Sequence, residues 1–298
     1  MKITENEAWG VILAFVKRSQ RAVPCTAGKA WAVNQTSESL TVYSGGNPET
    51  AIELAAVDLQ GTVTVDDSLT EPVAALFRLY LPLCLPQGPF TVGHLGQSLD
   101  GRIATESGAS HYVTGPADIL HNHRMRALFD AIIVGAGTAM HDDPQLTVRE
   151  CEGSNPIRVV IDAERRLPVD LGLFRDDATP TLLLCASDRV NGSKYHGTAE
   201  IVPVARDSES LSPLAIRAAL AKRGLHRLFI EGGGVTVSRF LKAGCLDRLQ
   251  VTISPLIIGS GLPAIVLPTV TSLAEGLRPE TRRFDLGEDV MFECRFHG

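Results

Sequence analysis

The strongest constraint on the fold lies in residues 130–149, where a short apolar run is followed at once by glycine and then by polar residues. The run 131–134 is rich in β-branched side chains and is ended by Gly135, a pattern typical of a strand that is buried on both faces. Residues 142–144, Asp-Asp-Pro, end any helix that begins after the glycine. Because ligands bind beyond the carboxyl ends of strands in open α/β sheets, this stretch is either a ligand-binding edge or an ordinary loop with an Asp-Pro turn.

The composition narrows the class of protein. Of the 298 residues, 44% are hydrophobic and 21% are charged, which is typical of a soluble globular protein with one large or two small domains. A formal net charge of −6 argues against a nucleic-acid partner. The six cysteines are scattered, so neither a disulfide framework nor a metal site is expected. Without a secretory pattern or a long apolar run, we expect a cytoplasmic protein with no membrane contact.

The order of patterns along the chain predicts two regions. A proline-rich stretch separates residues 1–86, a small α+β region without a motif, from a larger region, 87–298. Packing, docking or dimer contact is the expected role of the first region. Its predicted helices cover 7–16 and 49–59, and its predicted strands cover 40–43 and 62–65.

The larger region alternates strand and helix patterns. This alternation implies crossover connections and therefore a mostly parallel central sheet flanked by helices. The predicted strands cover 91–95, 131–134, 158–161, 181–185, 200–204, 226–230 and 247–258; the predicted helices cover 116–128, 214–223 and 235–243; and a hairpin or edge strand is predicted at 284–296.

Several residues near predicted strand ends have two interpretations each. The glycines at 232–234 either bind a phosphate at the start of a helix or form an ordinary tight turn. Their spacing does not match the Rossmann fingerprint. Glu231 is a helix-cap partner or an acceptor for a polar ligand. Arg126 and Arg149 are surface ion-pair residues or a phosphate clamp. His94 is a core histidine or a catalytic one. Together these signals suggest an anionic, nucleotide-like ligand.

A series of blocks occurs in a fixed order at residues 98–104, 108–114, 126–127, 130–138, 142–149, 231–233 and 255–259. The series resembles the reductase domain of bacterial riboflavin biosynthesis, the 5-amino-6-(5-phosphoribosylamino)uracil reductase family, over about residues 90–298. The resemblance implies a dihydrofolate-reductase-like fold, a cytoplasmic homodimer and the cofactor NADPH. It also implies a small phosphorylated substrate, reduced by hydride transfer to C1′ of its ring-opened imine.

The resemblance also implies roles for individual residues, with no metal among them. It places NADPH near Asp142, which would steer a proton toward the imine nitrogen. The implied catalytic residues are Asp142, Glu231 and His94; the implied substrate-binding residues are Ser110, Arg126, Leu146, Arg149 and Glu231; and the implied cofactor-binding residues are Gly96, Tyr112, Thr138, Asp142, Ala163, Gly233, Gly234, Val235, Thr236, Val237, Ser238 and Arg239.

The chain departs from the family pattern in several places, including Tyr112 in place of a common tryptophan and Ala163 in place of a frequent hydroxyl residue. The family usually has lysine where this chain has His94, and residues 1–86 lack the His-x-Glu and Pro-Cys-x-x-Cys signatures of the zinc deaminase that often precedes the reductase. We therefore expect a reductase without deaminase activity. Two alternatives remain: a reductase of the same fold with another carbonyl or imine substrate, and a nucleotide-binding protein without turnover.

Overall fold

The computed structural model describes residues 3–16, 23–24, 30–35, 39–44, 52–58, 62–86 and 88–296. The chain divides into two compact units, Met1–Gln87 and Gly88–Gly298. The division falls next to the boundary predicted from the proline-rich stretch. In the part of the chain that is described, no helix has the length and apolar character needed to cross a membrane.

The small unit combines two packed helices with an antiparallel sheet. The rings of Trp9 and Tyr80 meet edge to face between the helices, with centroids 5.3 Å apart, a favourable aromatic geometry. The helices are α1 (Glu5–Val16) and α2 (Glu71–Cys84). Among its described residues the strands are β1 (Val23–Pro24), β2 (Ala30–Gln35), β3 (Ser39–Ser44), β4 (Ile52–Asp58) and β5 (Val63–Val65), which pair in chain order.

The helix predicted over residues 49–59 is wrong, because this segment contains strand β4. It pairs antiparallel with β3 on one side and β5 on the other. Glutamate, leucine and alanine favour helix locally, but a central strand satisfies its backbone on both sides and buries Leu54 and Val57. The helix predicted over 7–16 and the strands predicted over 40–43 and 62–65 are confirmed.

The large unit is built on a ten-stranded sheet, all within residues 88–296. The strands of the large unit are β6 (Phe90–Ser98), β7 (Arg102–Thr105), β8 (Ala131–Gly135), β9 (Ile157–Ile161), β10 (Thr181–Ala186), β11 (Tyr195–His196), β12 (Ala199–Val204), β13 (Arg227–Glu231), β14 (Arg248–Ser254), β15 (Gly261–Pro263), β16 (Glu280–Leu286) and β17 (Asp289–Arg295). Strands β7 and β15 form a separate pair. The other ten strands form the sheet in the order β11-β12-β10-β9-β8-β13-β6-β14-β17-β16.

The predicted mostly parallel sheet is confirmed. Every pairing from β12 through β14 is parallel, and antiparallel pairing is confined to β11 and to the hairpin β16–β17 beside β14. The predicted closing hairpin is therefore also confirmed. Helices connect the parallel strands, as crossover connections require: α3 (Pro116–Leu128), α4 (Ala136–Asp142), α5 (Pro213–Ala221) and α6 (Gly234–Lys242).

Strands β8, β13 and β6 lie side by side at the centre of this sheet. Residues 131–134 are fully buried, as the apolar run predicted. The parallel register places Glu231 beside His94. Because the carboxyl ends of parallel strands meet at one edge, the residues that follow these three strands converge there.

Candidate active site

A cavity of about 870 Å³ lies in the large unit at the carboxyl ends of β6, β8 and β13. Its walls come from the turns after β8 and β13, the loops around residues 108–114 and 142–149, and one face of α3. On that face Asp118, Asn122 and Arg126 are spaced four residues apart, which aligns them along the helix. A cavity of this size suits a small-molecule or cofactor site.

Two glycine-containing turns form one side of the cavity. Helix α4 begins directly after β8, and α6 begins after Gly233, whose φ is +70°. A Cβ added to Gly233 would lie 3.1 Å from Thr138 Oγ1, so the two turns approach each other closely. Backbone N–H groups at helix starts attract anions. The turns are therefore suited to the phosphates of a nucleotide.

Arg126, which is buried, and Glu231, which is partly exposed, form an ion pair in the cavity wall. Arg126 Nε donates to Glu231 Oε2 at 2.7 Å, and a second guanidinium nitrogen donates to Oε1. A third Arg126 nitrogen donates to the carbonyl of Thr147 at 2.9 Å. Burial alone would lower the pKa of Arg126, but the Glu231 carboxylate raises it above its ordinary value. Arg126 therefore has a protein partner for its charge, and its clamping of a phosphate jointly with Arg149 stays a prediction.

Arg149 has a different environment. It is exposed and lines the cavity, and its side chain donates to Thr147 Oγ1. Across the described residues no carboxylate lies within ion-pair distance of it. Its backbone N–H donates to His123 Nδ1 at 2.9 Å. Burial, followed by the charges of Arg126 and Arg149, lowers the pKa of His123 to about 4, so His123 accepts this bond as a neutral ring. The guanidinium of Arg149 is thus available to an anionic ligand.

His94 lies in a buried polar cluster at the cavity wall. Its Nε2 is 3.1 Å from Asp118 Oδ1 and 3.3 Å from Thr252 Oγ1. Sequence reasoning missed Asp118, which lines the cavity beside His94. The available signal was its spacing: within the predicted helix it lies two turns before Arg126, on the same face.

Ser110, Asp142 and Tyr112 come from the two loops. Ser110 Oγ donates to Asp142 Oδ1 at 3.2 Å, which ties the loops together. Tyr112 is 74% exposed at the cavity mouth. No group of three or more His, Cys, Asp or Glu side chains with a metal-holding arrangement occurs in the described part of the chain.

Most of the predicted site residues line the one cavity, including residues far apart in sequence. Three do not. Val237 is fully buried in the core, and Ser238 Oγ accepts from the backbone of Val266 at 2.8 Å. Ala163 packs against the same core. These three side chains are therefore not among the groups that line the cavity, and their contact with the cofactor stays a prediction. The predicted residues that line the cavity are His94, Gly96, Ser110, Tyr112, Arg126, Thr138, Asp142, Leu146, Arg149, Glu231, Gly233, Gly234, Val235, Thr236 and Arg239.

The stability of the large unit is expected to fall at low pH because His121 is buried as a neutral ring. This side chain is 1% exposed, and its Nε2 lies 2.9 Å from Gln250 Oε1. Burial, followed by the charge of His94, lowers its pKa to about 4. Because the unfolded chain then binds the proton more readily, the free energy of unfolding falls as the pH drops from about 6.5 toward 4. Urea titrations across this range should show a smaller fall for His121→Gln than for the wild type, and an equal fall would contradict this origin.

Comparison with known proteins agrees with this architecture. A family model described as the RibD C-terminal domain matches residues 89–280. The chain is 33% identical over 220 residues to a 2,5-diamino-6-ribosylamino-4(3H)-pyrimidinone 5′-phosphate reductase of Methanothermobacter thermautotrophicus, covering 70% of this chain and 99% of that protein. It is 30% identical to the riboflavin biosynthesis protein RibD of Bacillus amyloliquefaciens, covering 66% of this chain and 54% of that protein.

A solved structure shares the fold. The deaminase and 5-amino-6-(5-phosphoribosylamino)uracil reductase of Thermotoga maritima superposes with a TM-score of 0.59 at 26% identity, over 76% of this chain and 61% of that one. The chain therefore spans the whole of the archaeal reductase but little more than half of the bacterial relatives.

Proposed function

Because the chain belongs to the RibD C-terminal domain family, we propose that its large unit is an NADPH-dependent pyrimidine reductase of riboflavin biosynthesis. The proposed reaction reduces 5-amino-6-(5-phosphoribosylamino)uracil to the ribitylamino product. Hydride adds to C1′ of the ring-opened imine. The observation that carries the proposal is a single cavity with two anion-attracting turns on one side and the unpaired guanidinium of Arg149 among its lining groups.

The residues of the cavity fit a dinucleotide. A Cβ at Gly137 or Gly232 would meet nothing within 4 Å, so ligand atoms have room to approach the backbone there. The starts of α4 and α6 would hold the phosphates, and Thr138 and Thr236 add hydroxyl groups beside them. When bound, the reduced nicotinamide supplies the hydride. The protein supplies the position of the reactants.

The substrate half of the proposal uses another part of the cavity wall, which includes one face of α3 and residues 142–149. Arg149 would bind the 5′-phosphate through its guanidinium, with Ser110 as a further donor. The Arg126–Glu231 pair presents a fixed polar surface to the sugar and the pyrimidine. Leu146 is 1% exposed and gives this wall an apolar segment.

Turnover assays separate this function from its alternatives. NADPH oxidation would be followed with the deaminated pyrimidine and with its 2-amino counterpart, which matches the name of the archaeal relative. Oxidation with either compound supports the proposed reaction and identifies the preferred ring. Cofactor binding without oxidation would support a binding protein, and oxidation only with an unrelated carbonyl compound would support a different reductase.

Arg149→Ala is expected to raise KM for the phosphorylated substrate at least tenfold, with a smaller effect on kcat. A charge-assisted bond to phosphate contributes about 1.5–3 kcal/mol, and the variant removes it without disturbing a buried ion pair. Arg223, which pairs with Glu200 on the surface, provides the matched control Arg223→Ala. An unchanged KM for Arg149→Ala would remove Arg149 from the phosphate site.

A homodimer is also part of the proposal. More than half of the exposed large hydrophobic residues in the described chain fall between residues 256 and 277, including Ile257, Val270 and Leu273. Concentrated exposed apolar side chains mark interaction surfaces. Light scattering should therefore report twice the chain mass of 32.0 kDa. Leu273→Glu should shift the protein toward the single-chain mass, and a monomeric wild type would refute the dimer.

A further inference from the structure

A buried acid–histidine pair borders the cavity where α3 faces strands β6 and β14. His94 is 2% exposed on β6, and Asp118 is fully buried on α3. Asp118 Oδ1 lies 3.1 Å from His94 Nε2. Both residues also line the cavity. The pair therefore combines burial, which strengthens its electrostatic interaction, with a position in the cavity wall.

Asp118 is fixed by bonds to two hydroxyl groups. Thr252 Oγ1 donates to Asp118 Oδ1 at 2.7 Å, and Thr114 Oγ1 donates to Asp118 Oδ2 at 2.7 Å. Both carboxylate oxygens are therefore occupied, and the carboxylate has little freedom to rotate. A carboxylate held in this way fixes the orientation of the imidazole that it binds.

The second ring nitrogen of His94 is available. Throughout the described residues, no group forms a hydrogen bond with Nδ1 of this ring. With Nε2 bound to Asp118, the protonated ring has one N–H bond to the carboxylate and one N–H bond left to donate. A ligand in the cavity is the remaining candidate for that donor.

We propose that Asp118 is a positioning residue that holds His94 as the proton donor of the reduction. This inference rests on the proposed function. As the carbon of the substrate C=N bond accepts the hydride, the π electrons move to nitrogen, which takes the proton from His94 Nδ1. The C=N bond becomes a C–N single bond, the nicotinamide is oxidised, and the neutral His94 regains its proton from water.

The charges around His94 favour its protonated form. Burial alone would lower the pKa of His94, but the charge and hydrogen bond of Asp118 outweigh burial and raise it, with a smaller contribution from Glu231. Arg126 opposes this effect. The groups that face the ring are Asp118, His121 and Arg126 from α3, Glu231 from β13, and Thr252 from β14.

The test combines hydride-transfer rates with a direct measurement on the ring. The wild-type rate at saturating cofactor should fall as the pH rises through the pKa of His94. Asp118→Asn should move this fall to lower pH by at least about one unit, a tenfold loss at high pH, with little change in NADPH affinity. Asp162→Asn is the matched control, because Asp162 is also buried and accepts from the backbone N–H of Leu167, away from His94 and Asp118. Its pH profile should stay that of the wild type.

Nitrogen NMR of the His94 ring in the free protein tests the pair without turnover. We expect Nε2 to be protonated in the wild type and the pKa of the ring to fall in Asp118→Asn.

If Asp118→Asn does not fold, His94→Gln takes its place, with an expected loss of at least a hundredfold in kcat and a flat pH profile. An equal pH profile in wild type and Asp118→Asn would overturn the inference. The inference would also be overturned if the hydride-transfer rate lost its pH dependence in Asp142→Asn but kept it in Asp118→Asn, because Asp142 would then be the proton donor. A wild type with no turnover but a normal His94–Asp118 titration would refute the proposed function and leave the pair intact.

Discussion

Glu231→Gln is expected to lower the free energy of unfolding by about 3 kcal/mol and to remove substrate turnover. The substitution keeps the shape of the side chain but leaves the Arg126 charge buried without its carboxylate. Removing one partner of a buried pair costs about 3–5 kcal/mol. Urea unfolding measures the first effect, and NADPH oxidation measures the second.

Glu200→Gln is the matched control. Glu200 pairs with Arg223, and their side chains are 50% and 34% exposed. Exposed pairs contribute about 1 kcal/mol or less, so this identical chemical change should have a small effect on unfolding. Equal losses for the two variants would show that burial of the Arg126–Glu231 pair does not govern its contribution.

Removing both charges separates stability from function. In the double variant Arg126→Met with Glu231→Gln no uncompensated charge remains, and stability should recover most of the loss. Turnover should not recover, because the charged Arg126 and Glu231 groups proposed to contact the sugar and the pyrimidine are still missing. A double variant that regains both would indicate that the pair is purely structural.

The sequence predicts the large unit well because its signals are local. An apolar run such as 131–134, or a glycine that directly follows a predicted helix, as Gly224 follows 214–223, is a property of a short segment. The alternation of strands and helices restricts the topology. The small unit shows the limit of this reasoning. Strand β4 has helix-forming residues, and its structure is decided by pairing with β3 and β5. The helix or strand propensity of one segment, considered alone, contains no information about the strands with which it pairs.

The site is predictable in part for the same reason. Glycines and strand ends indicate the edge where a ligand binds, and the family resemblance supplies individual residues. The bond between Arg126 and Glu231 joins positions 105 residues apart, and no spacing rule connects them. Asp118 was missed because its partner His94 lies on another element. The residues of the run 233–239 divide between the cavity lining and the core, because one face of α6 packs into the core.

Gly233→Val is expected to weaken NADPH binding at least tenfold. Gly233 has φ +70°, a conformation that costs an L-residue about 1–2 kcal/mol. An added Cβ would lie 3.1 Å from Thr138 Oγ1, so the Thr138 side chain must shift slightly. The branched side chain also fills space that the cofactor phosphates require. Fluorescence titration with NADPH measures the affinity, and a thermal melt measures the accompanying strain.

Gly224→Val separates backbone strain from loss of the binding surface. Gly224 has φ +77°, its Cβ would meet nothing within 4 Å, and it does not line the cavity. It should therefore lose stability through the same backbone strain while keeping its affinity for NADPH. Gly137→Ala adds neither backbone strain nor a protein contact. It places a small side chain where ligand atoms approach the backbone, and it should weaken NADPH binding less than Gly233→Val. If Gly233→Val binds NADPH as tightly as Gly224→Val, the phosphates do not lie against the α6 turn, and the cofactor must occupy the cavity in another orientation.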